Sequence, residues 1–284
     1  MPDQPEAVDL GAYCARIGRV GALAPTLETL RTLQAQHLAA IPFENLDILL
    51  GRGIDISPQA VDAKLIAARR GGYCFEHNGL FKRVLEAVGF RVEGLLARVQ
   101  WMAPPDAPPQ PRTHMALRVS VEGRPWLVDV GFGGNAPVAP LALDSGAPQS
   151  TRHETYRLQP VAGGLQLQAR LGETWAALYE LSPEPQLAVD YELPNWYTAT
   201  HPSSHFRHQL SVALTTPEAR YALRNARLTV RSSSGEETRR RLDASELEAT
   251  LRDTFGLPVE TNWRGVLERA VAAEREAALP PTAG

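Results

Sequence analysis

Apolar positions recur at two spacings along the chain, and the change falls near residue 90. Before it the period is helical. Asp9 precedes the apolar-periodic stretch 10–17 and carries the side chain of an N-cap. Thr26 stands in the same relation to 27–39, where Leu27, Leu30, Leu33 and Leu38 gather near one face and Pro42 lies beyond the end. Ser57-Pro58 reads as a cap followed by proline in the first turn of a third helix, which runs to about Arg69 and stops at Gly71-Gly72. A fourth begins near Cys74, with Leu80, Phe81, Val84, Leu85 and Val88 on one stripe. From Arg91 the period shortens to two. Segments 92–99, 115–121, 126–130, 156–158, 165–169 and 175–180 read as strands separated by Gly, Pro and Asp. The proline-rich 104–111 is a loop, and 137–153 is irregular.

After Asn195-Trp196 the pattern is mixed. Segment 207–215 alternates like a strand, 221–231 and 238–242 suit a hairpin around Ser232-Ser233-Ser234-Gly235, and 244–255 and 263–278 read as helices. The tail 279–284 is expected to fray. Helices, then strands, then a mixture predict an α+β protein in three parts: 1–90, 91–196 and 197–284. At 284 residues the chain is long enough for two or three domains.

Composition narrows the function. A net charge of −3 argues against a wholesale nucleic-acid binder. Only two of the 29 basic residues, Lys64 and Lys82, are lysines, which reflects GC-rich coding more than a phosphate-binding surface. No stretch approaches the ~18 apolar residues of a membrane helix. Residues 1–10 are acidic, with two prolines and neither a basic nor an apolar region, so no signal peptide is expected. Both features place the chain in the cytoplasm, where Cys14 and Cys74 are expected to be free thiols. No metal, nucleic-acid or membrane partner is expected, and the oligomeric state stays open.

The cysteines sit in different contexts. Cys14 lies mid-helix among Tyr13, Ala15 and Ile17 and reads as a small packing residue. Cys74 follows Arg69-Arg70-Gly71-Gly72-Tyr73 and opens a helix, where the macrodipole favours a thiolate. A nucleophilic cysteine needs an imidazole and a group to orient it. His37, on an amphipathic helix, is expected at the surface or boundary. His77 is one rigid turn from Cys74, His153 lies in a loop, and His201, His205 and His208 cluster near a proline turn.

His114 opens a strand whose odd positions are apolar. Trp126, Val128 and Val130 match them on the next strand, so His114 and Asp129 share the other face. The register leaves two pairings open. A two-residue Gly123-Arg124 turn sets Asp129 opposite Arg118, with His114 four residues and ~13 Å away. A longer loop or a bulge brings His114 and Asp129 together.

Arg70-Gly-Gly-Tyr-Cys74-Phe-Glu76-His-Asn78 resembles the R-G-G-x-C-x-E-x-N signature of the arylamine N-acetyltransferases, and Ile41-Pro-Phe-Glu44-Asn45-Leu is similar to that family's I-P-F-E-N-L stretch. Arg112-Thr-His114, Asp129-Val-Gly-Phe-Gly-Gly134 and Asn195-Trp196 with Pro202-Ser-Ser-His-Phe206 follow in the same order. The resemblance implies a helical first domain, an antiparallel β-barrel and an α/β lid around a cysteine-proteinase-like triad of Cys74, His114 and Asp129. It implies ping-pong transfer from acetyl-CoA to an arylamine, arylhydrazine or arylhydroxylamine, as in xenobiotic metabolism. It sets Phe132 in the acceptor pocket and Gly131, Gly133, Gly134, Ser204, His205 and Phe206 against CoA, although turn geometry accounts for the glycines equally well. Arg70, Glu76 and Asn78 are expected to hold the Cys74 helix, and Arg239-Arg240-Arg241 to be solvated. A cysteine hydrolase or transglutaminase-like enzyme, a non-catalytic binding module and an acyltransferase for longer acyl-CoA are the alternatives.

Overall fold

Side-chain caps set where the helices start. In the computed structural model, which describes residues 7–104 and 106–277, Asp9 accepts the Ala12 N–H at 2.9 Å and opens α1 (Leu10–Ile17). Thr26 accepts the Thr29 N–H at 3.2 Å and opens α2 (Leu27–Ala40). The tail expected to fray, 279–284, lies outside the described residues. After β1 (Phe43–Glu44) and the short α3 (Leu46–Leu49), Ser57 caps α4 (Pro58–Val61). The third helix is not α-helical to its end. It widens into a π-helical stretch, Asp62–Ala67, and turns out at Arg69 with φ +53°. Lys64 on that stretch reaches Asp47 at 2.8 Å and Glu76 at 2.7 Å, so its half-buried ammonium is paired with two carboxylates. The fourth helix, α5 (Cys74–Val88), buries the predicted Leu80, Phe81, Val84 and Leu85 stripe.

Eight antiparallel strands follow: β2 (Arg91–Val99), β3 (Arg112–Val121), β4 (Arg124–Val128), β5 (Leu141–Ala142), β6 (Gln149–Ser150), β7 (Thr155–Val161), β8 (Gly164–Leu171) and β9 (Thr174–Leu181). Their order is β5-β4-β3-β2-β9-β8-β7-β6, a near-closed barrel. Segment 137–153 was expected to be irregular. It contains β5 and β6, which are too short to carry a period. They close the barrel through one side chain: the Gln149 amide accepts from Ala142 N and donates to Ala142 O at 2.7 and 3.0 Å. Alternate residues face alternate cores. Leu95, Ala97, Leu127, Tyr156, Leu167 and Tyr179 fill the barrel. Leu96, Leu117, Val119, Trp126 and Val128 pack against the helices.

Residue 196, expected to close the second part, lies inside α6 (Glu192–Thr200). The last part adds β10 (Ser211–Thr215), β11 (Ala219–Arg224), β12 (Arg227–Ser232) and β13 (Glu237–Arg241), which extend β1 into an antiparallel sheet ordered β1-β10-β11-β12-β13. The strand read over 207–215 starts later, because His205–Arg207 forms a 3-10 turn. The strand read over 221–231 is two strands, broken at Asn225 where φ is +51°. α7 (Ala244–Asp253) and α8 (Arg264–Glu276) cover this sheet with Leu247, Leu251 and Leu267. Arg239, Arg240 and Arg241 line the exposed edge of β13, paired with Glu237, Glu246 and Glu274. Among the described residues, no helix is long and apolar enough to cross a membrane.

His37 departs from its expected surface or boundary position. It is fully buried, because it belongs to a chain of hydrogen bonds: Tyr13 Oη to His37 Nδ1 at 3.0 Å, His37 Nε2 to His77 Nδ1 at 2.9 Å, and His77 Nε2 to the Pro42 carbonyl at 3.1 Å. The carbonyl can only accept, so His77 Nε2 donates to it; with both rings neutral, His37 Nε2 donates to His77 Nδ1 and Tyr13 Oη to His37 Nδ1. Burial pushes His77 down to about 4 and His37 well below its usual range. The unfolded chain takes up these protons below pH ~6.5 and the folded chain does not, so stability falls as pH drops from there towards the folded values. His77 alone is expected to remove about 3 kcal/mol over that interval and nothing above it. Urea melts at pH 7 and pH 5 check this: His77→Gln should shrink the difference, and an unchanged difference would exclude the histidine chain as its source.

Candidate active site

Gly71 and Gly72 allow the chain to pass beneath two neighbours. A Cβ on Gly71 would sit 2.0 Å from the Pro42 carbonyl oxygen, and one on Gly72 would sit 2.6 Å from a Glu76 carboxylate oxygen. That carboxylate takes the Tyr73 N–H at 2.9 Å and fixes the first turn of α5. Cys74 is the first residue of that helix, a free and buried thiol whose Sγ lies 3.7 Å from the Thr113 carbonyl oxygen. Helix α5 thus points its positive end at the strand that carries His114. Cys14 is also free, lies half-buried against the helical core, and has its thiol pushed up by burial.

The β3–β4 hairpin settles the register that the sequence left open. Its turn is Glu122-Gly123, both at positive φ, not Gly123-Arg124. Val121 therefore pairs with Arg124, and Leu117 with Val128. Asp129, one residue past the end of β4, falls level with Ala116, and His114 is its diagonal neighbour on the same face. His114 Nε2 meets Asp129 Oδ2 at 2.7 Å. The competing Asp129–Arg118 pair does not form, because Arg118 binds Glu93 at 2.5 Å and the Pro183 carbonyl at 3.2 Å. A bulge also displaces β2 against β3 between Ala97 and Arg98, beside His114.

Asp129 is fully buried and accepts from three directions: His114, Asn78 Nδ2 at 3.0 Å and Gly131 N at 2.8 Å. Burial opposes its charge, but the His114 charge and these hydrogen bonds hold the carboxyl below its usual range. His114 is also buried. Burial opposes its protonation; the Asp129 charge, the Asp129 hydrogen bond and Cys74 outweigh that and push it up to about 10. The pairing therefore favours the charged ring. With Nε2 committed to Asp129, Nδ1 is the ring nitrogen left for the thiol. Gly131 is indispensable to this packing. A Cβ there would stand 2.6 Å from Cys74 Cα and 2.7 Å from Asn78 Nδ2.

The N-acetyltransferase family model matches residues 26–264. The arylamine N-acetyltransferase of Mycobacterium tuberculosis is 46% identical over 93% of this chain and 95% of its own length. The chain belongs to the arylamine N-acetyltransferase family. The enzyme of Escherichia coli that bears this name is 42% identical over 90% of this chain and 91% of its own. Among solved structures, that of the M. tuberculosis enzyme matches with a TM-score of 0.87 at 45% identity, covering 93% of this chain and 99% of the other. The Mycobacterium marinum arylamine N-acetyltransferase in complex with CoA matches with a TM-score of 0.87 at 44% identity, over 93% and 98%. The expected helices, barrel and mixed third part are thus the architecture of an arylamine N-acetyltransferase.

The other motif residues of this arylamine N-acetyltransferase chain take defined places. Phe132 meets the His114 ring at 5.0 Å, edge to face. Gly133, at φ +66°, opens a short turn through Asn135, and Gly134 lies against Ala222. Ser204 gives its hydroxyl to the Thr198 carbonyl at 2.6 Å and so ties down the end of α6. His205 packs on Phe206, which in turn meets Phe43 and Tyr73. Asn45 donates to the Phe206 and Gln209 carbonyls at 2.8 Å each, tying the Ile41–Leu46 motif to this turn. Arg70 binds Glu44 at 2.6 Å and stacks on Trp263 at 4.7 Å, joining the loop before Cys74 to the C-terminal part. Asn78 does more than hold its helix, since it bridges Asp129 and the Met115 carbonyl.

Sequence reading missed Tyr179. Its buried ring packs on His114 at 4.9 Å and Phe132 at 5.0 Å, and burial with the Asp129 charge keeps its phenol well above the usual range. No spacing singled it out among ordinary strand aromatics. Among the described residues, no group of three or more His, Cys, Asp or Glu is arranged to hold a metal ion.

Proposed function

We propose that this chain transfers the acetyl group of acetyl-CoA to the nitrogen of an arylamine, arylhydrazine or arylhydroxylamine through acetyl-Cys74. The observation that carries the reading is a buried carboxylate bonded to a buried histidine beside a free thiol at a helix N-terminus. The Cys74 thiolate, paired with the His114 imidazolium, attacks the thioester carbonyl carbon. The bond from that carbon to the CoA sulfur breaks, and CoA leaves with the His114 proton. One thioester replaces another, so little free energy is needed. The amine nitrogen then attacks acetyl-Cys74, its proton passes to neutral His114, and the thiolate–imidazolium pair is restored. Asp129 stays charged and orients the ring.

Phe132 lines the acceptor side in this reading, consistent with its ring against His114. In the same reading the backbone of Gly133 and Gly134, with His205 and Phe206, faces the donor, while the Gly131 N–H and the Ser204 hydroxyl brace the site through Asp129 and the Thr198 carbonyl. The CoA complex of the M. marinum relative supports acetyl-CoA as that donor. The cytoplasm is the proposed compartment, where the thiol stays reduced. The test is to incubate the protein with acetyl-CoA and an arylamine or arylhydrazine and follow free CoA thiol. Amine-dependent release supports the reading. Release independent of amine points to hydrolysis, and no release removes the reading.

A further inference from the structure

A densely wired polar cluster outside the triad lies behind the turn that follows Phe132. Arg220 on β11 is 2% exposed. Its guanidinium pairs with Glu154 at 2.6 Å and donates to the Ala136 carbonyl at 2.9 Å, the Gly134 carbonyl at 3.3 Å and Thr215 Oγ1 at 3.1 Å. Tyr156 Oη lies 3.0 Å from the same guanidinium and 3.2 Å from the Asn135 carbonyl. Arg231 on β12 holds the other Glu154 oxygen at 2.7 Å and reaches Asn135 Oδ1 at 3.4 Å. Three consecutive carbonyls, from Gly134 to Ala136, are therefore drawn to one buried cluster fed by two sheets. A trans peptide points its N–H opposite its carbonyl, so the Asn135 N–H faces away from Arg220.

We infer that Arg220, with Glu154 and Tyr156, is a positioning residue that fixes the Gly133–Asn135 turn for the acyl donor. The inference rests on the acetyl-transfer reading, in which this turn faces CoA, and deepens it. The barrel supplies Glu154 and Tyr156, and the C-terminal sheet supplies Arg220. Neither unit alone pins the turn. Phe132 is held separately by His114 and Tyr179, so losing the cluster moves the turn more than the acceptor wall. Arg220 reaches its carbonyls as a planar fork, and lysine keeps the charge but loses the fork.

In a ping-pong reaction kcat/KM for the donor reports the first half-reaction and kcat/KM for the amine reports the second. Arg220→Lys is expected to lower kcat/KM for acetyl-CoA about tenfold and to change kcat/KM for a small arylamine less than about threefold. Alkylation of Cys74 by iodoacetamide, which needs the triad and not the turn, should keep its wild-type rate. Tyr156→Phe removes one hydroxyl without changing shape and is expected to give a donor-only loss of about threefold, which carries the test if Arg220→Lys fails to fold. Titration calorimetry with CoA alone needs no turnover and should read weaker binding in the same variants. A selective donor loss together with weaker CoA binding supports the inference. Equal loss in both half-reactions, slowed alkylation or unchanged CoA binding overturns it. Weaker CoA binding in a protein that transfers no acetyl would remove the activity and leave the positioning role standing.

Discussion

Cys74→Ser is expected to abolish amine-dependent release of CoA from acetyl-CoA, by at least about 10⁴-fold in kcat/KM. The substitution is close to isosteric, so the fold should survive. What changes is the acid. A hydroxyl holds its proton far more tightly than a thiol, and an imidazole already protonated up to about 10 has no capacity to take it. Serine in this setting also has a poorer leaving group to surrender to the amine. Cys14→Ser is the matched control: that thiol lies half-buried against the helical core, away from any histidine–carboxylate pair, and its loss should change the rate less than about twofold. Thiol release that persists in Cys74→Ser would place the chemistry elsewhere.

Asp129→Asn is expected to cost about 10³- to 10⁴-fold in kcat/KM. The variant keeps hydrogen-bonding atoms beside His114 but removes the charge. Burial then acts on the ring with its main opposing cause gone, so the His114 pKa falls and the imidazolium at neutral pH is lost. Alkylation of Cys74 at pH 7 should slow in step with activity.

The stability signature has a definite sign. His114 has a raised folded pKa, so its contribution is complete below pH ~6.5 and is lost as pH rises towards about 10. Asp129 has a lowered one, so its contribution is complete above pH ~3.9 and is lost as pH falls through the folded value. The gap between wild type and Asp129→Asn, on the order of 3 kcal/mol for a broken buried pair, should be widest between those limits and narrow towards pH 10. Urea melts across that range check it, and a gap that widens above pH 7 would contradict the pairing.

The starts of α1, α2 and α4 were legible because they are local chemistry: Asp9, Thr26 and Ser57 cap in the structure as their sequence context predicts; β1 and α3, two and four residues long, were not, because neither carries a period. The strands with a full alternating run were legible because that alternation is local too. β5 and β6, two residues each, were not, because two residues carry no period. Parity alone gave the shared face of His114 and Asp129. Their contact comes from neither a Gly123-Arg124 turn nor the longer loop or bulge weighed against it, but from a two-residue Glu122-Gly123 turn one position earlier, a shift that neighbouring positions in sequence do not decide. His37 was misplaced because an amphipathic helix hides which polar residue sits at the edge of its buried face. Tyr179, Arg220 and the Glu154 cluster depend on contacts between distant strands, which no local spacing announces.

Cys74 and the His114–Asp129 pair lie on different elements, helix α5 and the β3–β4 hairpin. Helix α5 is built from local contacts, whereas Asp129 reaches His114 only after the β3–β4 hairpin has closed from its Glu122-Gly123 turn outward. During synthesis Cys74 emerges well before Asp129. The arrangement proposed to activate Cys74 therefore exists only where the closed hairpin is seated against α5, and a copy lacking that contact lacks the Asp129–His114 pair beside the thiol.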